Sequence, residues 1–564
     1  MSRLSAQPQI VVSIVGCLIL MTVKPQWIRV DQKEQDREEQ DLLLRRLKPV
    51  ETSHHRDLRC MEGTRSALLK TITEWVSSIS GDENLLHGNA CWIYGLPGIG
   101  KTSFAHSICA GLCGQEQLAG EFFCRKDDPA LSEPRNILPT LIHKLAMTFP
   151  PLRRIVAEHL RKDPSITQAS MKHNLFLNFI QKLPRLPKRT LVFVIDALDE
   201  CGSAQSRPAI LKTLKDAAAH APWLKIIITS RPEVDIQLFF EGPTQLPHLQ
   251  YDLTTDKEAT SDLRLFANNR FSRVALMRHL QSPWPEPLLF DAMISRASGL
   301  FIFIETLALA LEYSHDPTEL LEAIISDAAG PGLMSLYGLY SSIVNARRVQ
   351  SNAEFQRVIG VLLITAPHRP LHEETVAELA GVRPDLVKMW VADLVSMFYR
   401  DEGANGGIRV RHLSISDFFV SHDPHRDYQV NPRDANVRLG IACLNTMVEQ
   451  LRFNICKLED SRLANDDVKN LQSRIKENIP DALQYSSLYW SNHLCFTSDT
   501  VDPRLWESLR KIFEGPYALF WIEVLSIMGM LKIVAPSLRK VLTLIKVSVP
   551  LTYCQQHSKA ILTR

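Results

Sequence analysis

Apolar residues in this 564-residue chain follow two different periods, and the change from one to the other divides it. Between Gly63 and Phe240, short continuous apolar runs alternate with stretches in which apolar residues return at helical spacing. Cys91-Trp92-Ile93-Tyr94, Leu191-Val192-Phe193-Val194-Ile195 and Ile226-Ile227-Ile228-Thr229 are runs of the first kind. Their continuity predicts strands buried on both faces, as in a parallel sheet. Phe122 and Phe123 mark a further strand on the edge side. Phe104, Ile108 and Leu112 recur every fourth residue and predict a helix, and Ile137–Met147 and Leu175–Leu183 predict two more. Such alternation implies a parallel sheet with helices on both faces.

Beyond Phe240 the strands are expected to give way to helices. Leu263–Phe271, Ala292–Arg296 and Phe303–Tyr313 predict a small helical domain. Three helical stretches near Phe355–Thr365, Glu373–Ala380 and Pro384–Leu394 precede strands at Met397–Arg400 and Ile408–His412. A turn of Glu402-Gly403-Ala404-Asn405-Gly406-Gly407 joins those strands, and the order is that of a winged helix. After Asp423 the pattern is all-helical, with Val468, Leu471, Ile475 and Ile479 on one amphipathic face. The expected domains are an N-terminal segment (1–50), an α/β core (51–240), a helical domain (241–345), a winged-helix-like domain (346–425) and a helical C-terminal region (426–564).

Composition adds exclusions. Hydrophobic content of 45% and charged content of 22% are ordinary for a globular protein. A net charge of +2 lacks the basic footprint of a nucleic-acid binder, and the third winged-helix stretch carries only Lys388, with Arg383 just before it. No nucleic-acid partner is therefore expected. Eleven cysteines without paired C-x-x-C spacing fit a reducing compartment, hence a cytoplasmic location, and no structural zinc. Ile10 to Val23 is apolar but too short for a bilayer span, and no small-residue cleavage site follows it. It reads as a buried helix or strand, with a membrane anchor or signal peptide as alternatives. Residues 31–48 are dense in charge and read as a solvated helix or coiled-coil arm.

The candidate chemistry lies at the ends of the predicted strands. Gly95-Leu96-Pro97-Gly98-Ile99-Gly100-Lys101-Thr102, followed by Ser103, fits G-x-x-x-x-G-K-[ST] between a strand and a helix. In that setting backbone N–H groups and a helix N-terminus converge on phosphate, Lys101 reaches the terminal phosphates and Thr102 binds magnesium. The run 191–195 leads into Asp196-Ala197-Leu198-Asp199-Glu200. Asp196 is placed to be the second magnesium ligand, and Asp199 or Glu200 to accept a proton from an attacking water. Ser230-Arg231-Pro232-Glu233 follows the third run, putting Arg231 at the sheet edge where ligands bind in such folds.

With these residues in view, the chain resembles NACHT-type NTPases of the STAND class, above all the fungal nephrocystin-like set. The phosphate loop, Val194 through Cys201 and Thr229 through Glu233 carry the resemblance. Cys60-Met61-Glu62-Gly63-Thr64-Arg65, Ser298 through Phe303 and Val410 through Phe418 extend it. The resemblance implies a P-loop NTPase core, a helical lid, a winged helix and a helical C-terminal region. It implies ATP or ADP with Mg2+ as ligands and slow ATP hydrolysis that switches domain opening and homo-oligomerisation. It also implies that Arg231 senses the terminal phosphate and that His412 meets the ADP phosphate from the winged helix. Two departures stand out: Phe301 follows Gly299-Leu300 where the family often has proline, and Leu413 stands where an Asp follows the histidine. No WD40, ankyrin or tetratricopeptide signature is present, so an expected sensor array is missing from this sequence or encoded elsewhere. A multiple-turnover phosphoryl-transfer ATPase and a nucleotide-binding scaffold are the competing readings.

Overall fold

The computed structural model describes residues 40–51, 58–78, 88–163, 173–182, 190–242, 248–256, 258–281, 283–326, 332–346, 353–401, 406–421, 428–460, 463–496 and 502–548. Five parallel strands form the sheet: β1 (Ala90–Tyr94), β2 (Leu118–Phe123), β3 (Leu191–Asp196), β4 (Leu224–Ser230) and β5 (His248–Asp252), in the order β2-β3-β4-β1-β5. The uninterrupted apolar runs account for the centre, since every residue of β3 and β4 is buried. Strand periodicity then sends alternate residues to opposite faces. Ile93, Val192, Val194 and Ile227 join one core with Phe104 and Ile108. Trp92, Phe193, Ile195, Ile226 and Ile228 join the other.

The first face is covered by α1 (Ser66–Ser77) and α2 (Lys101–Gly114). The second is covered by α3 (Ile137–Thr148), α4 (Pro150–Lys162), α5 (His173–Gln181), α6 (Arg207–His220) and α7 (Val234–Glu241). Residues 40–45 are helical, with Leu43, Leu44 and Leu47 buried in the second core and Asp41 paired with Arg153. This end of the charged segment is thus docked rather than solvated, because its leucines are clustered where the charges thin out. Residues 31–39 and the apolar stretch 10–23 lie outside the described residues. Among the described residues no helix is long and apolar enough to cross a membrane.

The expectation that strands end at Phe240 fails. β5 adds a fifth strand beyond it, pairing with β1 from Ala90↔His248 to Tyr94↔Asp252. Its sequence, His-Leu-Gln-Tyr-Asp, carries the polar positions that an edge strand tolerates and so lacks the continuous apolar signature.

A helical group follows: α8 (Ala259–Met277), α9 (Pro287–Ala297), α10 (Phe301–Glu312), α11 (Pro317–Ser326) and α12 (Leu333–Ala346). Next come α13 (Ala353–Thr365), α14 (Glu373–Ala380), α15 (Pro384–Asp393) and the antiparallel pair β6 (Phe398–Arg400) and β7 (Ile408–Val410). Leu371 bridges to Ile408 beside that pair. β7 ends two residues sooner than expected, because His412 caps α16 (Leu413–Val420) by accepting the Ser414 N–H. The rest is helical: α17 (Pro432–Gln450), α18 (Leu471–Asn478), α19 (Asp481–Tyr489), α20 (Pro503–Glu514), α21 (Tyr517–Ile527) and α22 (Val534–Ser548). The expected face from Val468 to Ile479 is shorter than predicted, since Asn470 is left-handed (φ 56°) and starts α18 after Val468. One continuous apolar core runs from the first face of the sheet through these helices to Ile545.

Candidate functional site

The parallel strands all point their C-terminal ends at one edge, and there the chain forms an open cavity of about 880 Å³. The loop after β1 forms its floor. Gly95, Gly98 and Gly100 hold φ values of 156°, 80° and 98°. All three are positive, in a range that L side chains rarely adopt and glycine tolerates. At Gly98 a Cβ would stand 2.0 Å from the Cγ2 of Ile302, so only glycine fits beneath α10. Ile302 also donates its N–H to Gly98 O at 3.1 Å. Ile99 is buried, and its carbonyl accepts Arg65 Nη2 at 3.1 Å. The loop is therefore gripped from both sides.

α2 begins at Lys101 with Gly100 as its cap and no side chain on its first amides. Those amides lack helical partners and leave a site for an anion. Thr102 and Ser103 line the cavity beside them. Lys101 is nearly buried, and its Nζ donates to Gly95 O and Leu96 O, each at 2.9 Å. Burial pushes its pKa down to about 8, with Asp199 working in the opposite direction.

Asp196 ends β3 and is buried; its Oδ1 accepts Thr229 Oγ1 at 2.5 Å, and the Thr102 hydroxyl bonds the same carboxylate. Burial raises its pKa to about 6, against the effect of both hydroxyls. A carboxylate and a hydroxyl together are hard oxygen donors, suited to Mg2+, which keeps water and phosphate as its other ligands. Among the described residues no group of three or more His, Cys, Asp or Glu side chains could hold a metal, so any ion here would depend on that two-side-chain arrangement.

The two remaining carboxylates differ. Asp199 Oδ1 accepts the Arg231 N–H at 2.9 Å, and its Oδ2 lies 3.4 Å from Arg231 Nε. Glu200 accepts one long bond, from Lys126 N–H at 3.3 Å. Burial, then the nearby Asp199 charge, raises the Glu200 pKa to about 7.

Residues 63–231, from the turn before α1 to Arg231, match the family model described as nephrocystin 3, N-terminal. The core is nephrocystin-like. No curated protein matches the chain. Among solved structures, the Walker-type ATPase PABY2304 of Pyrococcus abyssi aligns with a TM-score of 0.30 and 12% identity, covering 66% of this chain and 99% of that one. Cdc6p of Pyrobaculum aerophilum gives 0.29 and 12% over 67% and 97%. The Aeropyrum pernix ORC1 protein, solved in complex with DNA, gives 0.28 and 11% over 66% and 95%. Likenesses this slight carry no argument about this chain.

Residues outside the nephrocystin-like core complete the cavity. Phe301 lines it, and its ring stands 3.8 Å from where a Cβ of Gly100 would be. His412 reaches it from the other side. Its Nδ1 accepts Ser414 N–H at 3.2 Å and lies 2.6 Å from Ser414 Oγ, which is 2.8 Å from Tyr340 OH. A neutral ring with Nδ1 accepting carries its proton on Nε2. Burial, with Lys101 and Arg231 nearby, pushes the His412 pKa down to about 3. Arg231 Nη1 donates to Asp417 Oδ2 at 3.0 Å, joining the core to α16. A second ion pair, Arg409 to Asp127 at 3.6 Å, joins β7 to the loop after β2.

The structure thus brings Gly98 through Ser103, Asp196, Asp199, Glu200, Arg231 and His412 to the lining of one cavity, while Gly95 stays out of the lining and offers its carbonyl to Lys101. Sequence reasoning gave no role at the site to Thr229, Arg65 or Asp417, although each lies in a run that carries the resemblance. Arg65 is left-handed (φ 54°) and buried; besides Ile99 O it pairs with Asp256, and its amide donates to Asp262 at 2.8 Å. The positively disposed Gly63 two residues ahead was its one local signal.

Proposed function

We propose that the chain is a nucleotide-operated signalling switch. ADP closes the α/β core against the helical lid and a winged-helix module, and Mg2+–ATP favours an open form that self-associates. One observation carries the reading: a single cavity is walled by the phosphate loop, by Phe301 and Ile302 of α10, and by His412 beyond the hairpin. A ligand held there is touched by three parts of the chain and can bias how they sit. Such bias requires differential affinity; reversing a 1:99 population takes about 5.5 kcal/mol. Several charge-assisted hydrogen bonds to phosphate, each about 1.5–3 kcal/mol, can supply it.

In this account the amides of α2 and Lys101 hold the phosphates. Lys101 must leave Gly95 O and Leu96 O to do so, and those carbonyls keep it near until phosphate replaces them. Thr102 and Asp196 would hold Mg2+, which when bound neutralises charge on the phosphate oxygens. Glu200 acts as the base toward water, because Asp199 is already engaged by Arg231 and Glu200 has a pKa near neutrality. His412 offers Nε2–H toward a phosphate oxygen. Arg231 either holds Asp417 or turns to the terminal phosphate, which ties the nucleotide state to α16. Mass-spectrometric identification of nucleotide released from the purified chain tests the proposal: ADP near one per chain supports it. A chain that is empty and takes up neither ADP nor ATP refutes it.

A further inference from the structure

Thr229 closes the isoleucine run of β4 and is wholly buried. Its hydroxyl has one proton, and that proton goes to Asp196 Oδ1 at 2.5 Å. The Thr229 hydroxyl oxygen in turn accepts the Ala197 N–H at 3.0 Å. Ala197 is left-handed (φ 52°), and the turn it makes carries the chain from β3 into Leu198–Glu200. One side chain therefore holds both the carboxylate that ends β3 and the first bend of the acidic loop. Two residues on, the Arg231 amide holds Asp199 from the same strand end. Thr102, the other hydroxyl on Asp196, is exposed to the cavity, whereas Thr229 is sealed behind the carboxylate.

We infer that Thr229 is a positioning residue that fixes Asp196 for Mg2+ and does not itself contact phosphate. Its proton is already given to Asp196, so it has none to offer a phosphate oxygen. The geometry differs from that of Arg231, which retains N–H groups beyond its two acidic partners. The inference rests on the nucleotide reading above.

The test uses the full chain, a fluorescent ADP analogue and a Mg2+ titration. Thr229→Val keeps the branched shape and removes the hydroxyl. The Mg2+ concentration giving half of the metal-dependent gain in affinity should rise about tenfold or more, as when a group supporting a metal ligand is lost. Affinity without Mg2+ should stay parental, and Thr229→Ser should restore the parental Mg2+ midpoint. A parental midpoint in Thr229→Val overturns the inference. So does an equal loss with and without Mg2+, which marks a structural role only. If the valine variant does not fold, Thr229→Cys, a weaker donor of similar size, is judged by the same two readings. A parental chain that binds the analogue in neither condition overturns the nucleotide reading, and this inference with it.

Discussion

Asp417→Asn is the sharpest probe of how the nucleotide site communicates with the helical half. The substitution preserves side-chain shape on α16 and removes the charge that faces Arg231. The pair is 3.0 Å long, with side chains 23% and 30% exposed. A hydrogen bond between charged groups contributes about 1.5–3 kcal/mol when sheltered. Partial exposure and a residual neutral hydrogen bond from asparagine reduce the expected loss to about 1 kcal/mol. That is about fivefold in an equilibrium or rate constant. Arg231 keeps Asp199, so the core itself should remain intact. The predicted result is an ADP off-rate about fivefold faster, followed by stopped-flow with a fluorescent analogue, with the melting temperature of the core unchanged. Raising the salt concentration should narrow the difference, because the pair is partly screened. An unchanged off-rate at low salt would refute the coupling, since the ion pair would then exist without restraining the closed form.

Other variants test other walls of the cavity. Glu200→Gln should slow hydrolysis at least a hundredfold while sparing ADP affinity. In the parent, hydrolysis should rise with pH through about 7, since the carboxylate must be ionised to accept a proton, and this limb should vanish in the variant; a pH-rate profile checks both. Gly98→Ala places a Cβ 2.0 Å from Ile302 and strains a φ of 80°, so it should displace α10 and weaken nucleotide affinity more than tenfold in equilibrium titration. Adding Ile302→Ala should recover part of that loss. A Gly98→Ala chain with parental affinity would show that α10 does not press on the loop.

How much of this was readable beforehand depended on the range of each interaction. β3 and β4 stood out because strands buried on both faces admit no polar interruption. The phosphate loop stood out because its glycines are needed at fixed offsets from one another. β5 escaped notice because an edge strand with polar positions looks like loop. Which acidic residue is free to act as a base depends on Arg231, 32 positions beyond Asp199, and no local spacing encodes that pairing. The same holds for Asp417, 186 positions from Arg231. That Leu413, not an acidic residue, follows His412 was legible in the sequence. That Asp417, one turn further into α16, meets Arg231 was not, because it depends on how α16 docks against the core. Likewise, Thr229 had no role beyond ending an apolar run and opening a family-like one until the fold set it against Asp196.

The account is tested most directly by calorimetric titration of the nucleotide-stripped chain with ADP in the presence of Mg2+. One saturable site per chain, abolished by Lys101→Ala, is the predicted result. Absence of any saturable heat in the parent, or an undiminished site in Lys101→Ala, would contradict it.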